Sequence, residues 1–380
     1  MLSQVEWGEY KLENLFEIAG TKSLDSNAIE FVDKGINFIG RTFENNGIQG
    51  KITRRNFEPN AAFTITATVI GNYKYVKYQK EPYYCSQNIN KLTPLKDIFL
   101  KWNEKIACFL VANIQKFVSL YDGQQGGYKL EDIKKHKINL PTKNGKIDFD
   151  FMESFVTELE AQRVAELEAY LTATGLKDYE LTAAEQKALD DFENNSGSNW
   201  QEFKLIDIFK VKNTQCILSR DVEAKENGTP YLCASADNNA ISSYISYNEK
   251  YLDKGNCIFI GGKTFVVTYQ KNDFYSNDSH NLALYLKDSK NATLITQLFC
   301  ISCIKCGLGY KYSWGDSISF KKIQNDIIQL PVKKGEIDFE FMAIFISAIQ
   351  KLIIKDVVQY SDRKIAATKQ CCKKSSPFTE

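Results

Sequence analysis

The feature that most constrains the fold of this chain is an internal repeat. The segment WGEYKLENLF at residues 7–16 returns as WQEFKLIDIF at residues 200–209, 193 positions later. The segment GKIDFDFM at residues 145–152 returns as GEIDFEFM at residues 335–342, and a Leu-Pro pair precedes both copies. A chain of 380 residues is long enough for two domains with separate cores. The repeat therefore predicts two similar domains in tandem and favours a ligand that has two parts.

Each copy begins with a mixed, β-rich body. Residues 36–39, 63–70 and 73–78 alternate in the manner of strands, and helices are predicted at about 95–117 and 293–305. The Leu-Pro pair is predicted to close each body, because proline cannot continue a β-ladder. The polar stretch near residue 195 separates the copies. The predicted divisions are a first body at 1–146, a first spacer-helix region at 147–196, a second body at 197–336, and a second spacer helix with a polar tail, beginning at Ser361, at 337–380.

A long helix is predicted after each body. The first begins near Ile147, with Asp148 as its cap or as an acid of its first turn, and ends at Gly175. Thr182 then opens a short helix with a capping box. Apolar positions spaced by three and four are too numerous to be left in water, which favours an antiparallel coiled coil of the two arms. The positions predicted to pack in this way are Met152, Phe155, Leu159, Leu167, Leu171, Met342, Phe345, Ile349 and Leu352. The fold class is thus α+β, with two mixed domains and paired spacer helices.

The formal net charge of +1 conceals a separation of charge along the chain. Residues 34–80 carry eight basic and two acidic side chains, whereas residues 153–193 carry eleven acidic and three basic ones. This pattern favours an anion-binding surface on the first body and a solvated helical arm after it.

Catalytic and metal-binding motifs are missing from the sequence. His136 and His280 are the only histidines, and there is no Walker A loop, GxSxG, HExxH or Asn-Pro-Pro-Tyr motif. Cys300, Cys303 and Cys306 recur every third residue of a predicted buried helix, which favours small apolar side chains over a zinc site. No metal or cofactor is therefore expected on this chain.

The sequence contains no export signal at its start and no apolar run long enough to span a bilayer. We therefore expect a cytoplasmic protein with reduced cysteines and no membrane partner.

The order of these motifs resembles that of the specificity subunits of type I restriction–modification systems. Two variable bodies each end in Leu-Pro and a Gly-x-Ile-Asp-Phe-x-Phe-Met segment, followed by a long helix. The junction GLKDYELTAAE at residues 175–185, followed by Trp200 and the run 203–209, is similar to the junction before the second body in that family. The resemblance extends over nearly the whole chain.

The resemblance implies that each body recognises one half of a split double-stranded DNA target. It further implies a non-catalytic subunit whose helices space the bodies and dock two methyltransferase subunits, which carry S-adenosylmethionine, together with restriction–translocase subunits. A protein-interaction scaffold and the specificity subunit of a type IIB-like system remain alternatives. The bases read and the gap between half-sites are not encoded in any recognisable motif.

Candidate DNA contacts in the first body lie in the loop of residues 40–51, in a basic pair, on a lysine-rich strand and in a glycine-rich loop. Arginine can pair with guanine, and asparagine or glutamine with adenine. A plain turn, a solvated charge pair, an ordinary amphipathic strand and a flexible connector are the respective alternatives. The candidates are Arg41, Asn45, Asn46, Gln49, Lys51, Arg54, Arg55, Lys74, Lys77, Lys80, Gln124 and Gln125.

The second body departs from the first at several of these positions. Arg41 corresponds to Ala234, and Lys51 corresponds to Tyr244. We therefore expect the second body to recognise a different half-site. Its candidate contacts are Ser235, Asn238, Asn239, Lys263, Thr264, Gln270, Lys271 and Lys311.

Overall fold

A computed structural model describes residues 5–123, 126–194, 199–313 and 315–374, with side chains as far as residue 367. These residues form two compact units. The first comprises Met1–Leu167 and Lys364–Glu380, and the second comprises Glu168–Arg363. The domain divisions drawn from the sequence stay a prediction.

The strands of the first unit are β1 (Glu6–Lys11), β2 (Phe16–Gly20), β3 (Ser23–Leu24), β4 (Ile36–Ile39), β5 (Ile48–Ile52), β6 (Thr64–Thr68), β7 (Val76–Gln79), β8 (Tyr83–Ser86), β9 (Ile89–Pro94), β10 (Lys137–Lys143) and β11 (Lys146–Ile147). Those of the second unit are β12 (Asn199–Lys204), β13 (Phe209–Asn213), β14 (Ala224–Leu232), β15 (Ile241–Ile245), β16 (Cys257–Ile260), β17 (Val267–Gln270), β18 (Tyr275–Ser276), β19 (Leu282–Leu286), β20 (Ile327–Lys333) and β21 (Glu336–Ile337).

The α-helices, in chain order, are α1 (Glu104–Ser119), α2 (Leu130–Lys135), α3 (Phe149–Ala173), α4 (Ala183–Glu193), α5 (Leu205–Ile208), α6 (Leu294–Leu308), α7 (Phe320–Ile323) and α8 (Phe339–Lys374).

The two units share one sheet plan. In the first, an antiparallel sheet with the order β2-β9-β6-β7 lies beside a smaller sheet with the order β3-β8-β4-β5. In the second, β13-β19-β16-β17 repeats the first order, whereas the smaller sheet β15-β14-β18 has three strands, which correspond to β5-β4-β8. Short sheets β1-β10-β11 and β12-β20-β21 stand before the long helices. The predicted tandem of mixed domains is confirmed.

The Leu-Pro pairs do not close the bodies as predicted. Pro141 lies inside β10, opposite Trp7, and Pro331 lies inside β20, opposite Trp200. The prolines lack an N–H, but their carbonyls accept hydrogen bonds from Asp148 N and Asp338 N, both at 2.8 Å. The missing N–H of each proline therefore does not end its strand, because the proline carbonyl still accepts a backbone hydrogen bond.

The same aspartates begin the long helices. Asp148 Oδ1 accepts from Phe151 N at 2.8 Å, and Asp338 Oδ1 accepts from Phe341 N at 2.9 Å. Each carboxylate thus satisfies a free backbone N–H of the first helical turn. The repeated Gly-x-Ile-Asp-Phe sequence is a tight turn, a short strand and a helix cap, and the predicted start near residue 147 is confirmed.

The limits of α3 and α4 agree with the sequence, whereas the start of α1 does not. The second long helix, expected to give way to a polar tail at Ser361, continues as α8 to Lys374. Gly175, with φ of +71°, ends α3, and the Thr182 hydroxyl accepts from Glu185 N at the start of α4. The helix expected from Leu95 begins only at Glu104, because Asn103 Oδ1 caps the N–H groups of Lys105 and Ile106.

The helix α4 packs on α8 within the second unit through a buried carboxylate. Glu185 accepts hydrogen bonds from the Ser347 hydroxyl at 2.7 Å and from Lys351 Nζ at 3.1 Å. Burial alone would raise the pKa of Glu185, but these donors and Thr182 N–H more than offset it and lower the pKa to about 2. The carboxylate is therefore charged at neutral pH.

The apolar positions of the long helices do not all serve helix pairing. Met152 and Met342 are fully buried in the cores of their own domains, on which Phe155 and Phe345 also pack. Leu171 is fully buried, whereas Leu159 and Leu352 are more than two-fifths exposed. Leu167 and Ile349 are half-buried. The prediction that Met152 and Met342 pack between the paired helices is thus corrected, because both side chains lie in the core of their own domain.

None of the helices in the described parts of the chain combines the length and the apolar character needed to cross a bilayer.

Candidate nucleic-acid interface

In the first unit, β4 and β5 form a hairpin whose turn contains three consecutive residues in the left-handed backbone region. The φ angles are +43° at Asn45, +54° at Asn46 and +83° at Gly47. Asparagine and glycine adopt this conformation more readily than other residues. The Asn45 amide donates to Ile48 O at 3.2 Å and closes the turn locally.

The turn is also attached to the neighbouring sheet. Asn46 Nδ2 donates to Tyr78 O at 2.8 Å, and Gln79 Nε2 donates back to Asn46 O at 3.4 Å. Gln79 is buried and also donates to Thr66 Oγ1 at 3.1 Å. This reciprocal contact fixes the hairpin tip on the end of β7.

The second unit builds the same turn between β14 and β15. Asn238, Asn239 and Ala240 have φ of +46°, +53° and +67°. Asn239 Nδ2 donates to Tyr269 O at 2.9 Å, and the buried Gln270 donates to Asn239 O at 2.9 Å. The amide of Asn238 donates to Ile241 O at 3.0 Å. These four asparagine amides and Gln270 therefore shape the hairpins.

The hairpins differ in the side chains that they expose. Along β5 and β15 the order of exposed and buried positions is identical, with Gln49 and Lys51 exposed in the first and Ser242 and Tyr244 in the second. Among the described residues, the side chains of Arg41, Gln49 and Lys51 have no hydrogen-bond or ion-pair partner. The first hairpin thus presents two free cations and one free amide.

The other basic candidates of the first unit are mostly engaged. Arg54 forms a paired contact with Glu58 at 2.6 and 2.7 Å, and Lys80 lies 2.6 Å from Glu104. Lys77 Nζ donates to Phe43 O at 3.2 Å and lies 4.4 Å from the centre of the Phe43 ring. Burial lowers the pKa of Lys77. The exposed pairs of Arg54 and Lys80 are weak enough to open for a phosphate.

Arg55 and Lys74 are less accessible than predicted. Arg55 is half-buried, and its Nε is enclosed without a hydrogen-bond partner among the described residues. Lys74 is only 1% exposed, and its Nζ donates to the carbonyls of Gly71 and Tyr121. The position of Lys74 contradicts the prediction of a phosphate contact, because this lysine lies in the segment before β7 and its ammonium group is bound to these two carbonyls rather than exposed. Gln124 and Gln125 lie outside the described residues.

In the second unit, three candidates support the structure around the hairpin. The Ser235 hydroxyl accepts from Asp237 N at 3.2 Å, Thr264 Oγ1 donates to Ala234 O at 2.9 Å, and Lys263 lies 3.1 Å from Asp278. Lys271 is exposed near the end of β17. These contacts leave Lys263 and Lys271 at the surface.

Lys311 has a different environment. Its Nζ lies 2.5 Å from Asp326 Oδ1, and the Tyr312 hydroxyl donates to Asp326 Oδ2 at 2.6 Å. Asp326 is 1% exposed. Removing Lys311 for a phosphate contact would leave a buried carboxylate with one donor, so the structure argues for a supporting role.

The candidates drawn from the sequence omitted large exposed aromatic side chains beside both hairpins. Phe43 is 67% exposed next to the first turn, and Tyr244 is 46% exposed on β15. An apolar residue two positions before an Asn-Asn turn, and a tyrosine at an outward strand position, were the available signals. Such side chains can contact thymine methyl groups or sugars.

The cysteine row of α6 contains one buried member and two more accessible ones. Cys300 is fully buried, Cys303 is half-buried and Cys306 is exposed. Burial raises the pKa of Cys303 to about 12. Among the described residues, no group of three or more His, Cys, Asp or Glu side chains is placed to hold a metal ion.

Two comparisons describe what the chain is similar to. It is 20% identical over 361 residues to "Type II restriction enzyme BgcI specificity subunit S.BcgI" from Heyndrickxia coagulans, covering 93% of this chain and 97% of that one. The crystal structure of the type I restriction–modification S subunit from M. genitalium matches with a TM-score of 0.58 at 13% identity. That match covers 97% of this chain and 94% of the other, and it shows a shared fold.

A family model described as "Type I restriction modification DNA specificity domain" matches residues 4–169 and again residues 197–360. The two matches coincide with the two copies of the repeat and together span most of the chain. The chain therefore belongs to the family of type I restriction–modification DNA specificity domains.

Proposed function

We propose that the two domains recognise the two halves of a split double-stranded DNA target. Hairpin β4–β5 with its flanking loops contacts one half, and the end of β14 with β15 contacts the other. The observation that carries this proposal is the pair of hairpins held in one conformation by the same asparagine and glutamine contacts but exposing different side chains. Two hairpins with the same backbone geometry but different exposed side chains are suited to binding two different DNA sequences.

In the first hairpin, Arg41 and Gln49 have the chemistry to pair with base edges, and Lys51 can neutralise a phosphate. In the second, Tyr244 and Ser242 take the outward positions of β15. The exposed lysines 263 and 271 supply phosphate contacts there.

The long helices have a length suited to spacing two readers. The 25 residues of α3 span about 37 Å at 1.5 Å per residue. Half-sites one duplex turn apart lie about 34–36 Å from centre to centre. We propose that α3 and α8 pair as an antiparallel coiled coil that fixes this distance.

The chemistry of modification is proposed to reside in partners. Two methyltransferase subunits carrying S-adenosylmethionine methylate adenine, and restriction–translocase subunits complete the assembly. A second candidate follows from the likeness to the specificity subunit of a type II restriction enzyme. In that case a single partner chain both methylates and cleaves DNA, as in a type IIB-like system.

The test is co-expression with the methyltransferase partner, followed by genome-wide mapping of methylated adenines. The expected result is a split motif with a fixed gap. Replacing residues 40–52 by residues 233–245, which are equal in length, should change one half of the motif and leave the other unchanged.

A contiguous motif, or a graft that alters both halves, would contradict the assignment of one hairpin to each half-site. Failure of the complex to bind any duplex DNA would favour a protein-interaction scaffold. Assaying DNA cleavage by the purified pair separates the two candidate systems, since only a type IIB-like partner cuts without a further subunit.

A further inference from the structure

An aromatic socket lies open on the first unit, away from the hairpin. Trp7, Phe109 and Phe155 line a groove of about 760 Å³ between β1, α1 and α3. Leu159 stands at its edge and is 42% exposed, and Trp7 is 44% exposed. Exposed aromatic surface of this kind marks an interaction site.

The second unit contains the same aromatic floor. The rings of Phe109 and Phe155 meet edge to face at 6.0 Å and 83°, and those of their counterparts Phe299 and Phe345 meet at 5.9 Å and 82°. Trp200, the counterpart of Trp7, stacks on Phe299 at 6.1 Å. The socket is therefore part of the repeated design.

In the second unit a further phenylalanine occupies the socket. Phe192, near the end of α4, lies 4.7 Å from the Phe345 ring and 6.2 Å from the Trp200 ring. Its helix carries four acidic side chains and one lysine, and Glu185 anchors it to Ser347 and Lys351. The second unit thus shows that an acidic helix with a phenylalanine near its end fits a socket of this kind.

The socket of the first unit lacks such an occupant within the described residues. Phe155 contacts the rings of Phe109 and Phe151, as Phe345 contacts those of Phe299 and Phe341, but no third ring lies on it there. The repeated floor with a missing ring indicates a place for an aromatic side chain from elsewhere.

The edge of the open socket differs in charge from its counterpart. Lys116 and Lys137 line it, where the second unit has Cys306 and Ile327. Lys137 is paired with Glu9 at 2.6 Å, whereas Lys116 has no ion-pair partner among the described residues. A basic edge favours an acidic occupant even more than in the second unit.

We propose that the aromatic socket of the first unit binds an acidic amphipathic helix of a partner protein, which inserts a phenylalanine as α4 inserts Phe192. The partner helix binds across Phe155 and Trp7, with its acidic side chains towards Lys116. Burial of one aromatic ring in a preformed pocket supplies the main anchor.

The test uses a fluorescent peptide of residues 179–194, which contains α4, and the full-length protein. The peptide should bind, as measured by fluorescence anisotropy, and Phe192→Ala in the peptide should weaken binding by at least about tenfold. Leu159→Glu in the protein should weaken it by a similar factor, and Lys116→Glu by a smaller one. The peptide is not expected to bind the socket of the second unit. The α4 of the chain itself occupies that socket and is tethered beside it, which gives it a high effective concentration.

Leu100→Glu is the matched control, since Leu100 is an 88% exposed leucine of the same unit outside the socket. Circular dichroism verifies that each variant is folded. Absence of binding at millimolar peptide, or equal binding of the Phe192→Ala peptide, would overturn the proposal.

Two further outcomes would also overturn it by naming a different occupant. If deletion of residues 375–380 is required before the peptide binds, the chain's own terminus fills the socket. If the protein self-associates in a manner abolished by Leu159→Glu, a second copy does. Sedimentation of the full-length protein with and without each change distinguishes these cases.

Discussion

The hairpins of the two units differ at the positions that face outward and agree at the positions that hold them in place. Asn46 and Asn239 donate to the carbonyls of Tyr78 and Tyr269 at 2.8 and 2.9 Å, so the turn geometry is the same in both. Arg41 and Ala234, by contrast, share neither size nor charge. The comparison indicates that the backbone contacts fix the position of each hairpin. In the function proposed above, the few exposed positions that differ determine which bases each hairpin recognises.

A second comparison concerns the residue that precedes β10 and its counterpart before β20. His136 in the first unit is half-buried, and its ring lies 4.4 Å from the Phe117 ring. Asp326 in the second is buried and accepts from Tyr312 and Lys311. Both backbone carbonyls accept the same hydrogen bond, from Leu12 N and Leu205 N at 2.9 and 3.0 Å. The repeat has thus kept the backbone contact and changed the side-chain chemistry.

The largest expected effect follows from this second comparison. Asp326→Ala should destabilise the second unit by about 2–4 kcal/mol, because it leaves the Tyr312 hydroxyl buried without its acceptor and removes the partner of Lys311. His136→Ala should cost the first unit less, about 1 kcal/mol, since a half-buried ring contact is lost. Hydrogen exchange of β20 and β10 under increasing denaturant measures the two units separately. Equal losses of unfolding free energy in the two variants would contradict this prediction and show that His136 and Asp326 stabilise their units equally.

The effect of the hairpin side chains on recognition should be somewhat smaller. Arg41→Ala should weaken binding to one half-site by about 1–3 kcal/mol if its guanidinium pairs with a base. Tyr244→Ala should act only on the other half-site. The measurement is the affinity of the assembled complex for duplexes altered in one half at a time, at fixed salt because phosphate contacts are salt-dependent.

Lys51→Ala is the companion variant, expected to weaken binding to all sequences alike and to reduce the salt dependence. An Arg41→Ala variant with unchanged affinity and unchanged base preference would remove Arg41 from the set of base contacts.

Much of the fold could be predicted from the sequence, because the two copies of the repeat can be aligned with each other and show the same pattern twice. The strand at 36–39, the cap at Asp148 and the capping box at Thr182 depend on local patterns that the tertiary structure did not override. The helix start at Glu104 was missed, since residues 95–102 are apolar enough to extend the helical pattern although Asn103 stops it.

The candidate site was only partly accessible to sequence reasoning. Lys74 and Lys77 alternate with aromatic residues, and the pattern reveals neither that β7 begins only at Val76 nor which of its faces is buried. The burial of Lys74 depends on carbonyls of Gly71 and Tyr121, and Tyr121 is 47 positions away in the chain. The turn at Asn46 was one of the two interpretations of the sequence, and Asn239 was only a candidate contact. Whether their amides face a ligand or a strand depends on β7 and β17, which are distant in sequence.

The smallest expected effect tests whether the two hairpin turns are equivalent frames. Gly47 has φ of +83° and Ala240 has φ of +67°, a region that costs residues with a Cβ about 1–2 kcal/mol. A Cβ added at Gly47 would meet Ile39 Cγ2 at 3.4 Å, which is ordinary contact, so only backbone strain should count. Gly47→Ala should therefore lower the unfolding free energy of the first unit by about 1 kcal/mol. Ala240→Gly should raise that of the second by about 0.5 kcal/mol, a smaller change because glycine gains freedom in the unfolded chain.

Gly20→Ala, at a position that lacks positive φ and has room for the methyl group, serves as the control and should not destabilise the protein. If Ala240→Gly destabilises the second unit instead, the methyl group of Ala240 packs well enough in the core beside Phe259 to outweigh its backbone strain, and the two turns are held by different forces.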